Sequence, residues 1–388
     1  MSELTFRFRC IGFVKGYCKS YGWIRSLRHQ FAIWWINQLR WVFSHSRFGP
    51  PSGFFSALGD ELKVDKSSLS LILGSQTLPP LPEHSLIRIA GMDQNGHQPW
   101  PVFTVAIPDM MLVGKSLAPM KGGKLLLTEA LYDQRFRTED PAFNHVITGR
   151  PMPLKGHWTS IAGRWSLGYF HWLMDDLPRL APILEFPADT GIIIKGKLSS
   201  YMREALRILG YESRVRETTE KFLKVENFHF SSPVGMSGCT NPYAVEWLRK
   251  TFLPKAQYNL APELPKKILI LRKGKTRGIL NMHILKDALE KRGWIAIDLE
   301  TVPFAGQIAL FANADSIVAE HGAALTNLVW CRPGSKVLEL CPTNFLNGCF
   351  EGISLCVGVD HYFEIFPADH LSRFTVPLSK LLERVQGW

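Results

Sequence analysis

The fold is best predicted from residues 316–328, which read SIVAEHGAALTNL. An apolar, β-branched run ends in a polar turn that contains Gly322, and a helix-forming segment follows, so the pattern predicts a strand, a tight turn and a helix. The first turn of such a helix offers free N–H groups and a partial positive charge, which together hold a phosphate readily. His321 would lie at the carboxyl end of the strand, where open α/β sheets bind ligands. An ordinary strand, turn and helix with an incidental histidine fits the spacing equally well.

A second turn and strand follow in residues 333–340, which read PGSKVLEL. The Pro-Gly pair predicts a turn, and the run after it predicts a strand with an acid, Glu339, near its end. The two stretches together indicate half of a nucleotide site.

The composition indicates a globular protein of two domains, with 388 residues, 46% of them hydrophobic and 20% charged. The net charge of +11 is unevenly placed, because residues 1–49 contain eight Lys or Arg and one Glu, and the remaining residues carry only +4. A nearly neutral body argues against a nucleic-acid partner. The seven cysteines include no Cys-x-x-Cys pair, which argues against a disulfide framework. Without an 18-residue apolar run or a signal-peptide pattern, we expect a cytoplasmic location.

The segment before about residue 55 is basic and aromatic. Its apolar residues recur at helical spacing between Ile24 and Val42, and most of its polar residues fall on the other face of the predicted helix. Residues 20–45 could therefore bind an anionic membrane surface at the inner face, or dock on the protein's own body. Residues 49–53, which read GPPSG, mark a boundary.

The rest of the chain changes from short strands to alternating strands and helices at about residue 159. The predicted strands are 103–107, 111–113, 124–127, 191–194, 228–230, 267–271, 294–298, 316–319, 336–340 and 361–365. The predicted helices are 169–184, 200–209, 241–252, 281–292, 304–313, 323–330, 350–357 and 371–386. Alternation of this kind implies parallel sheets.

We therefore predict an α/β protein with two Rossmann-like domains that face each other across a cleft. The domains are an N-terminal domain over residues 56–252 and a C-terminal domain over residues 253–368. The basic amphipathic extension covers residues 1–55, and a final helix within residues 369–388 would cross back onto the first half.

A pair of functional side chains is predicted in residues 168–180, which read GYFHWLMDDLPRL. On a helix, His171 and Asp175 are four residues apart and share a face. Such a pair can act as a general base with the residue that orients it. An ion pair on the helix surface, or a histidine satisfied by its neighbour, is the structural alternative.

A buried strand runs into four cations in residues 268–278, which read ILILRKGKTRG. Cations at the carboxyl end of a strand suit a diphosphate, and arginine can bind it with two parallel hydrogen bonds. Arg272 and Arg277 are therefore candidates for binding a diphosphate. A solvated basic turn is the alternative.

Several competing signatures are missing from the chain. No Asp-x-Asp metal clamp and no Gly-x-Gly-x-x-Gly dinucleotide motif occurs. Asp109 stands where the first glycine of a P-loop would precede Gly114, and Cys239 stands where the last glycine of a nucleophile elbow would be. Zinc ligation by His157, His171 and Asp175 is disfavoured.

A fixed order of residues links these stretches. The order is His171-Trp172-x-x-Asp175-x-Leu177-Pro178-Arg179, then Arg272, Arg277 and Asn281, then Gln307, Phe311, Ala314-Asp315, His321-Gly322-Ala323-Ala324-Leu325-Thr326-Asn327, Pro333-Gly334 and Glu339. This order resembles glycosyltransferase family 61, and more particularly its bacterial capsular-polysaccharide type. The resemblance covers roughly residues 85–368.

The resemblance implies a GT-B fold, an inverting mechanism and a nucleotide-sugar donor, usually a UDP-sugar, that is bound without an essential metal. We therefore expect no cofactor. Three features depart from the family pattern: Gly168 where Asn is usual, Glu320 where Pro is frequent, and a loop from Arg272 to Arg277 that is one residue shorter.

The resemblance makes residues 56–252 the acceptor-side domain and residues 253–368 the nucleotide-sugar-binding domain, so the expected donor site lies in the C-terminal domain. Arg272, Arg277 and the helix that begins near Ala323 would stabilise the charge that grows on the leaving diphosphate. Glu339 would accept hydrogen bonds from ribose hydroxyls.

Further expected contacts complete the site. His321, Gly322 and Asn327 would line the diphosphate or the sugar. Either His171 or Asp175 would take the proton from the acceptor hydroxyl, with a slight preference for the carboxylate. The acceptor would be a cell-surface polysaccharide or glycan, or a lipid-linked glycan.

Two other classes of function are compatible with parts of the pattern. A catalytically inactive nucleotide-binding or scaffold protein on the same fold would bind UDP without turnover, and the departures at Gly168 and Glu320 favour it. A hydrolase of the α/β type is disfavoured by the missing nucleophile elbow.

Overall fold

A computed structural model describes most of the chain after residue 150 and shorter stretches before it. The described residues are 55–56, 70–73, 79–90, 102–114, 116–121, 124–126, 150–163, 165–235, 237–256, 264–272 and 277–388. The predicted basic helix and its membrane contact over residues 20–45 lie outside these residues.

The strands and helices are numbered here in chain order. The strands are β1 (Phe55–Ser56), β2 (Ser70–Leu73), β3 (Val102–Val113), β4 (Ala118–Lys121), β5 (Lys124–Leu126), β6 (Met152–Ser160), β7 (Gly191–Lys195), β8 (Val215–Thr218), β9 (Phe222–Ser231), β10 (Lys267–Leu271), β11 (Gly278–Ile279), β12 (Ile295–Asp298), β13 (Ser316–Glu320), β14 (Lys336–Pro342), β15 (Asp360–Phe366) and β16 (Arg373–Phe374). The α-helices are α1 (Leu86–Ile89), α2 (Tyr169–His171), α3 (Ser200–Leu209), α4 (Pro242–Ala256), α5 (Met282–Glu290), α6 (Phe304–Asn313), α7 (Cys349–Val357) and α8 (Leu378–Arg384). One π-helical segment (Trp172–Asp176) and four 3₁₀ segments (Leu177–Glu185, Glu212–Arg214, Leu299–Thr301, Ala323–Trp330) complete the described helical structure.

The chain divides into two compact units. The first comprises Met1–Ser67, Ile107–His157 and Thr219–Phe228, and the second comprises Ser68–Ala106, Trp158–Thr218 and His229–Trp388. In the first unit, the end of β3 pairs antiparallel with β4, and β4 pairs antiparallel with β5. Strand β1 pairs parallel with β5.

The second unit contains a five-stranded, fully parallel sheet in the order β12-β10-β13-β14-β15. Numbered from β10 as the first strand, this is the order 2-1-3-4-5, in which the chain reverses its direction of winding between β10 and β13. Open α/β sheets bind ligands at such a switch point, outside the carboxyl ends of the strands. The sheet therefore has one preferred binding edge, beyond Leu271 and Glu320.

Side chains alternate between two apolar layers on the faces of this sheet. Ile268 and Ile317 belong to a large cluster on one face, and Leu269 and Val318 belong to a second cluster on the other. Parallel strands with both faces buried are rich in Ile, Val and Leu, which explains why β10 reads KILIL.

A second parallel segment lies in the same unit. Strand β7 pairs parallel with the end of β6 and with β8. Its Ile192 and Ile194 pack in the same large cluster as Ile268 and Ile317, so both groups of parallel strands contribute to one continuous core. The prediction of an α/β fold with parallel sheets is confirmed, and the GT-B arrangement stays a prediction.

Several predicted elements differ in detail from the structure. The helix predicted at 169–184 is present as successive α, π and 3₁₀ segments, because Pro178 and Pro182 have no N–H to donate and disturb the i to i−4 ladder. The two strands predicted around Pro108 form one strand, with Asp109 at a φ of +52°. The helix predicted at 241–252 continues to Ala256.

The final helix is shorter than predicted, because Arg373–Phe374 pairs with Gly278–Ile279 as a strand and Pro377 precedes the helix. Its Leu381 packs in the cluster that contains Leu269, on the five-stranded sheet, where the sequence predicted a helix that crosses back.

Two negative predictions can be compared with the described residues. None of the helices they form is long and apolar enough to span a membrane. The cysteines among them, Cys239, Cys331, Cys341, Cys349 and Cys356, are free thiols.

Candidate active site

A cavity of about 730 Å³ lies at the switch point of the five-stranded sheet. Its wall includes the carboxyl ends of β10 and β13, the first residues of α3 and α6, and the start of the 3₁₀ segment at Ala323. The structure therefore places the strand–turn–helix predicted from residues 316–328 at the edge where a ligand is expected.

Arg272 follows directly after β10 and lies against the turn after β13. Its Nε is 3.2 Å from Oε1 of Glu320, and its Nη1 donates to the carbonyl of His321 at 3.4 Å. A Cβ built at Gly322 would lie only 2.6 Å from Nη1 of Arg272. Glycine at position 322 therefore leaves the space that the guanidinium group occupies.

Arg277 reaches the same cavity from the other side of the loop. Its backbone has a φ of +53°, and its guanidinium carbon lies 4.6 Å from the centre of the Phe345 ring. Burial and the neighbouring charge of Arg272 lower the pKa of Arg277. The two predicted arginines are thus brought together in one wall, beside Gly322 and Ala323.

The starts of three helical segments meet the cavity. Glu204 of α3 accepts hydrogen bonds from the backbone N–H groups of Phe304 and Ala305, at 2.8 and 3.2 Å, and so caps α6. The segment that begins at Ala323 is a 3₁₀ helix of eight residues where the sequence predicted an α-helix. Its first residues still line the cavity together with Ser199 at the start of α3.

Asn327 holds this part of the wall in place. Its Oδ1 accepts hydrogen bonds from the hydroxyl of Tyr169 at 2.8 Å and from Nε1 of Trp330 at 3.0 Å. Its Nδ2 donates to Oε1 of Gln307 and to the carbonyl of Ala324, both at 3.1 Å. The hydrogen-bonding groups of this fully buried amide therefore have partners within the protein. Contact of Asn327 with the donor stays a prediction, and this geometry disfavours it.

His321 and Glu339 form a buried pair behind the cavity wall. Nδ1 of His321 lies 2.5 Å from Oε1 of Glu339, and Nε2 of His361 lies 2.9 Å from Oε2. Burial alone would raise the pKa of Glu339, but the charge of His321 and the hydrogen bonds from both histidines outweigh it and hold that pKa at about 2. Because both carboxylate oxygens are occupied and the residue is fully buried, the structure favours a positioning role for Glu339 over the expected contact with a ribose.

One group of side chains has spacing that could suit a metal ion. His321, Glu339 and Cys341 each place a ligand atom within 4.8 Å of the others. Burial raises the pKa of the Cys341 thiol, which disfavours the thiolate that a metal requires. With Glu339 already held by two histidines, this is a hydrogen-bonded core cluster, and we assign no metal ligand here.

His171 and Asp175 form the pair that their spacing predicted. Nδ1 of His171 lies 2.7 Å from Oδ2 of Asp175, which is only 4% exposed, whereas the imidazole side chain is 28% exposed. Ser237 adds a third member, because its hydroxyl donates to Oδ2 of Asp175 at 2.9 Å and lies 3.1 Å from Nδ1 of His171. Burial raises the pKa of Asp175, against the lowering effect of the hydrogen bonds from His171, Ser237 and Gly238.

Sequence reasoning missed Ser237 and the role of its loop. The stretch around Ser237 was considered only as a failed nucleophile elbow, and no local pattern indicates that it meets a helix 62 residues earlier. The departure at Gly168 does have a structural correlate, because a Cβ built there would lie 3.2 Å from Cδ2 of His171. Any larger residue at this position would crowd the imidazole.

Aromatic rings connect the two histidine-containing regions within the second unit. Phe170 contacts both His171 and Phe350, with ring centroids 5.4 and 5.9 Å apart. Phe350 in turn lies 5.2 Å from the ring of His321. Together with the Tyr169–Asn327 hydrogen bond, these contacts pack the helical motif against the segment that contains residues 321–327.

Comparison with known proteins gives this site a class. The family model described as Glycosyltransferase 61 matches residues 169–338. The match assigns the chain, at the broader level, to the class of glycosyltransferases, which use a donor and a glycan acceptor. It supports, more particularly, membership of the chain in glycosyltransferase family 61, which confirms the resemblance seen in the sequence. None of the curated proteins searched matches the chain.

The matched segment includes most of the candidate site residues. It begins at Tyr169, two residues before His171, and it contains both arginines and the block from His321 to Asn327. Glu339 lies one residue beyond its end, and the residues of the first unit at Ile107–His157 lie before its start.

Proposed function

We propose that this chain is an inverting glycosyltransferase that moves a sugar from a nucleotide-sugar, most simply a UDP-sugar, to a hydroxyl of a cell-surface polysaccharide or glycan. One observation carries the proposal. A cavity with two guanidinium groups lies at the switch point of a parallel sheet, and the same compact unit holds a partly exposed histidine–carboxylate pair, two residues along the chain from Tyr169 of the cavity wall. The cavity suits an anionic nucleotide, and the pair suits removal of a proton.

The donor would bind with its diphosphate against Arg272 and Arg277. Both side chains line the cavity, and the first residues of the 3₁₀ segment at Gly322 and Ala323 lie beside them. Arginine forms strong, charge-assisted hydrogen bonds with phosphate. We propose that these cations stabilise the leaving diphosphate without a divalent cation, so that the reaction proceeds in EDTA.

His171 is the better candidate for the general base. Its Nδ1 is engaged by Asp175 and Ser237, which leaves Nε2 as the ring nitrogen that can accept a proton from a substrate. Asp175 is too buried to meet an acceptor and is placed to orient the imidazole and to stabilise its protonated form. The geometry thus favours the roles opposite to those that the sequence slightly preferred.

The reaction would take place in one displacement. The acceptor oxygen attacks the anomeric carbon, its proton passes to Nε2 of His171, and the bond from the anomeric carbon to the diphosphate oxygen breaks. No covalent enzyme intermediate is needed, and the configuration at the anomeric carbon inverts. Trp165, which is 46% exposed and whose ring centroid lies 6.1 Å from that of His171, offers a flat surface on which an acceptor sugar can stack.

Calorimetric titration tests the donor site. UDP, GDP, CMP and their sugars are titrated into the full chain, with and without EDTA, and into Arg272→Ala. We expect micromolar binding of one nucleotide class, unchanged by EDTA and weakened about tenfold or more in Arg272→Ala, because hydrogen bonds to charged groups contribute about 1.5–3 kcal/mol. The matched control is Arg292→Ala, because Arg292 is exposed and its Nη1 bonds only to a carbonyl of its own helix.

The outcomes separate the candidate functions. Binding followed by release of the nucleotide on addition of saccharide acceptors supports the transferase. Binding without turnover for any acceptor favours the inactive nucleotide-binding protein. If no nucleotide binds, the proposed donor site is wrong.

We also propose that the basic residues 20–45 hold the enzyme at the cytoplasmic face of a membrane, near a lipid-linked acceptor. The support is the charge and spacing of these residues in the sequence. Sedimentation with vesicles that contain anionic lipid should retain the full chain and lose a variant without residues 1–50. Equal sedimentation of the two proteins would contradict this proposal.

A further inference from the structure

Glu320 puts a carboxylate into the wall of the anion-binding cavity. The residue is the last of β13 and is only 6% exposed. Its Oε1 lies 3.2 Å from Nε of Arg272, and its Oε2 accepts a hydrogen bond from the backbone N–H of Ile279 at 3.2 Å. A negative charge at this place is unexpected for a site that must receive a diphosphate.

The charged and titratable groups that face Glu320 come from three segments. Arg272 follows β10, Arg277 precedes β11, and His321 is the next residue of its own turn. Further along the cavity wall are Glu300 and Glu204, the second of which already caps α6. An ionised Glu320 therefore cancels one of the two guanidinium charges that the diphosphate would meet.

Glu320 and a diphosphate would compete for the same guanidinium group. Arg272 is held against the backbone of residues 320–322 by its contacts with Glu320 and the carbonyl of His321. Gly322 and Ala323, at the proposed phosphate position, lie directly beside it. The Glu320 carboxylate thus contacts the same guanidinium group that a bound diphosphate would need.

We propose that the binding of a nucleotide-sugar is coupled to the uptake of one proton by Glu320, which releases Arg272 to the diphosphate. This inference rests on the proposed function and makes Glu320 a positioning residue of the donor site. The proton comes from solvent and goes to a carboxylate oxygen of Glu320, and no other bond changes.

The acidity of Glu320 places this coupling in an accessible range. Burial raises the pKa of Glu320 to about 7, against the lowering effects of Arg272, the Ile279 N–H, Arg277 and His321. If only protein with a neutral Glu320 binds donor, the apparent affinity is proportional to the neutral fraction. The ionised fraction is about one tenth at pH 6 and about nine tenths at pH 8, so the neutral fraction, and with it the affinity, should fall about tenfold between them.

The test is calorimetric titration of UDP-sugars into the full chain at about pH 6 and about pH 8. UDP-sugars are used because their diphosphate is a diester, whereas the terminal phosphate of free UDP itself titrates near pH 6. Each titration is repeated in two buffers of different ionisation enthalpy, which counts the protons taken up. We compare the wild type with Glu320→Gln, with Glu320→Ala in case the first variant folds poorly, and with Glu290→Gln, which changes an exposed carboxylate of α5 outside the cavity wall.

We expect the wild type and Glu290→Gln to bind about tenfold more tightly at the lower pH and to take up close to one proton at the higher pH. Both Glu320 variants should bind with equal affinity at the two pH values and take up no proton. A wild type that binds equally at both pH values, or Glu320 variants that keep its pH dependence, would overturn the coupling and leave the donor site standing. If no UDP-sugar binds to the wild type at either pH, the proposed function fails, and the coupling fails with it.

Discussion

Among the residues that the structure describes, two histidine–carboxylate pairs have opposite surroundings. In the first, His171 is 28% exposed and its partner Asp175 is buried. In the second, both His321 and Glu339 are buried, and a second histidine, His361, takes the other oxygen of Glu339. The same two functional groups thus form a pair that can meet a substrate and a pair that can only stabilise the wall behind the site.

The comparison shows that the chemistry of a pair is decided by what each nitrogen and oxygen already contacts. His171 keeps one ring nitrogen for a proton because its other nitrogen is held by Asp175 and Ser237. Glu339 has both oxygens engaged and is held ionised, with a pKa of about 2. We expect variants of the first pair to lose turnover and variants of the second to lose stability.

The largest expected effect is on turnover in His171→Asn. Removal of the general base should lower turnover about 10²–10⁴-fold and leave donor affinity and the free energy of unfolding unchanged. Release of UDP from the UDP-sugar, measured with an active acceptor, reports this. His283→Asn, which changes an exposed histidine of α5, should behave as wild type. A rate for His171→Asn near that of the wild type would remove the distinction between the two pairs.

The next effect is on stability in Glu339→Gln. This change leaves two buried histidines without their carboxylate, and breaking a buried ion pair costs about 3–5 kcal/mol. Chemical denaturation should show this loss, while the exposed control Glu290→Gln should stay within about 0.5 kcal/mol of the wild type. Wild-type stability for Glu339→Gln would show that the pair does not support the wall of the site.

The pH dependence of the stability difference between the wild type and Glu339→Gln gives a sharper test. The pKa of Glu339 in the folded protein, about 2, lies below its ordinary value of 4.5, so its stabilising contribution is present above pH 4.5 and is lost as the pH falls towards 2. The difference in stability between the wild type and Glu339→Gln should therefore shrink over that range. A difference that stays constant would assign the stabilisation to packing and not to charge.

A smaller effect is expected on donor binding in Gly322→Ala. The added methyl group would meet Nη1 of Arg272 at 2.6 Å, so the guanidinium must move away from the proposed phosphate position. Because the end of a flexible side chain can shift at little cost, stability should change little, while donor affinity should fall about tenfold. Gly278→Ala is the matched control, since a Cβ built there has nothing within 4 Å. An equal effect of the two changes would contradict this role for Gly322.

The smallest effect is expected in Tyr169→Phe, at the connection between the two regions. The change removes the hydrogen bond to Oδ1 of Asn327, which still accepts from Trp330, so no buried group loses its last partner. The free energy of unfolding should fall by about 1 kcal/mol. Thermal or chemical denaturation measures this, and a loss several times larger would mean that the connection itself holds the site together.

Much of the second unit was predictable because its signals are local. A β-branched run before a turn, as in residues 316–322, predicts a strand and its end without knowledge of the rest of the chain. The spacing of four between His171 and Asp175 also predicts their contact correctly, since any helical turn brings such residues together. The 3₁₀ and π segments were missed because hydrogen-bond registers within a helix depend on prolines and tertiary packing more than on periodicity.

Local sequence patterns were enough to predict most of the alternating strands and helices between Lys267 and Phe366, the strand ends that carry Arg272 and His321, and the resemblance to the family. They could not predict that β10 lies beside β13, which sets Arg272 against Glu320, or that Ser237 joins Asp175 across 62 residues; these contacts depend on the tertiary structure. It also decided that Glu339 faces two histidines and not a ligand. The physical reason is that propensity and periodicity act over a few residues. The partners of a buried charge depend instead on which distant segments pack together and exclude water.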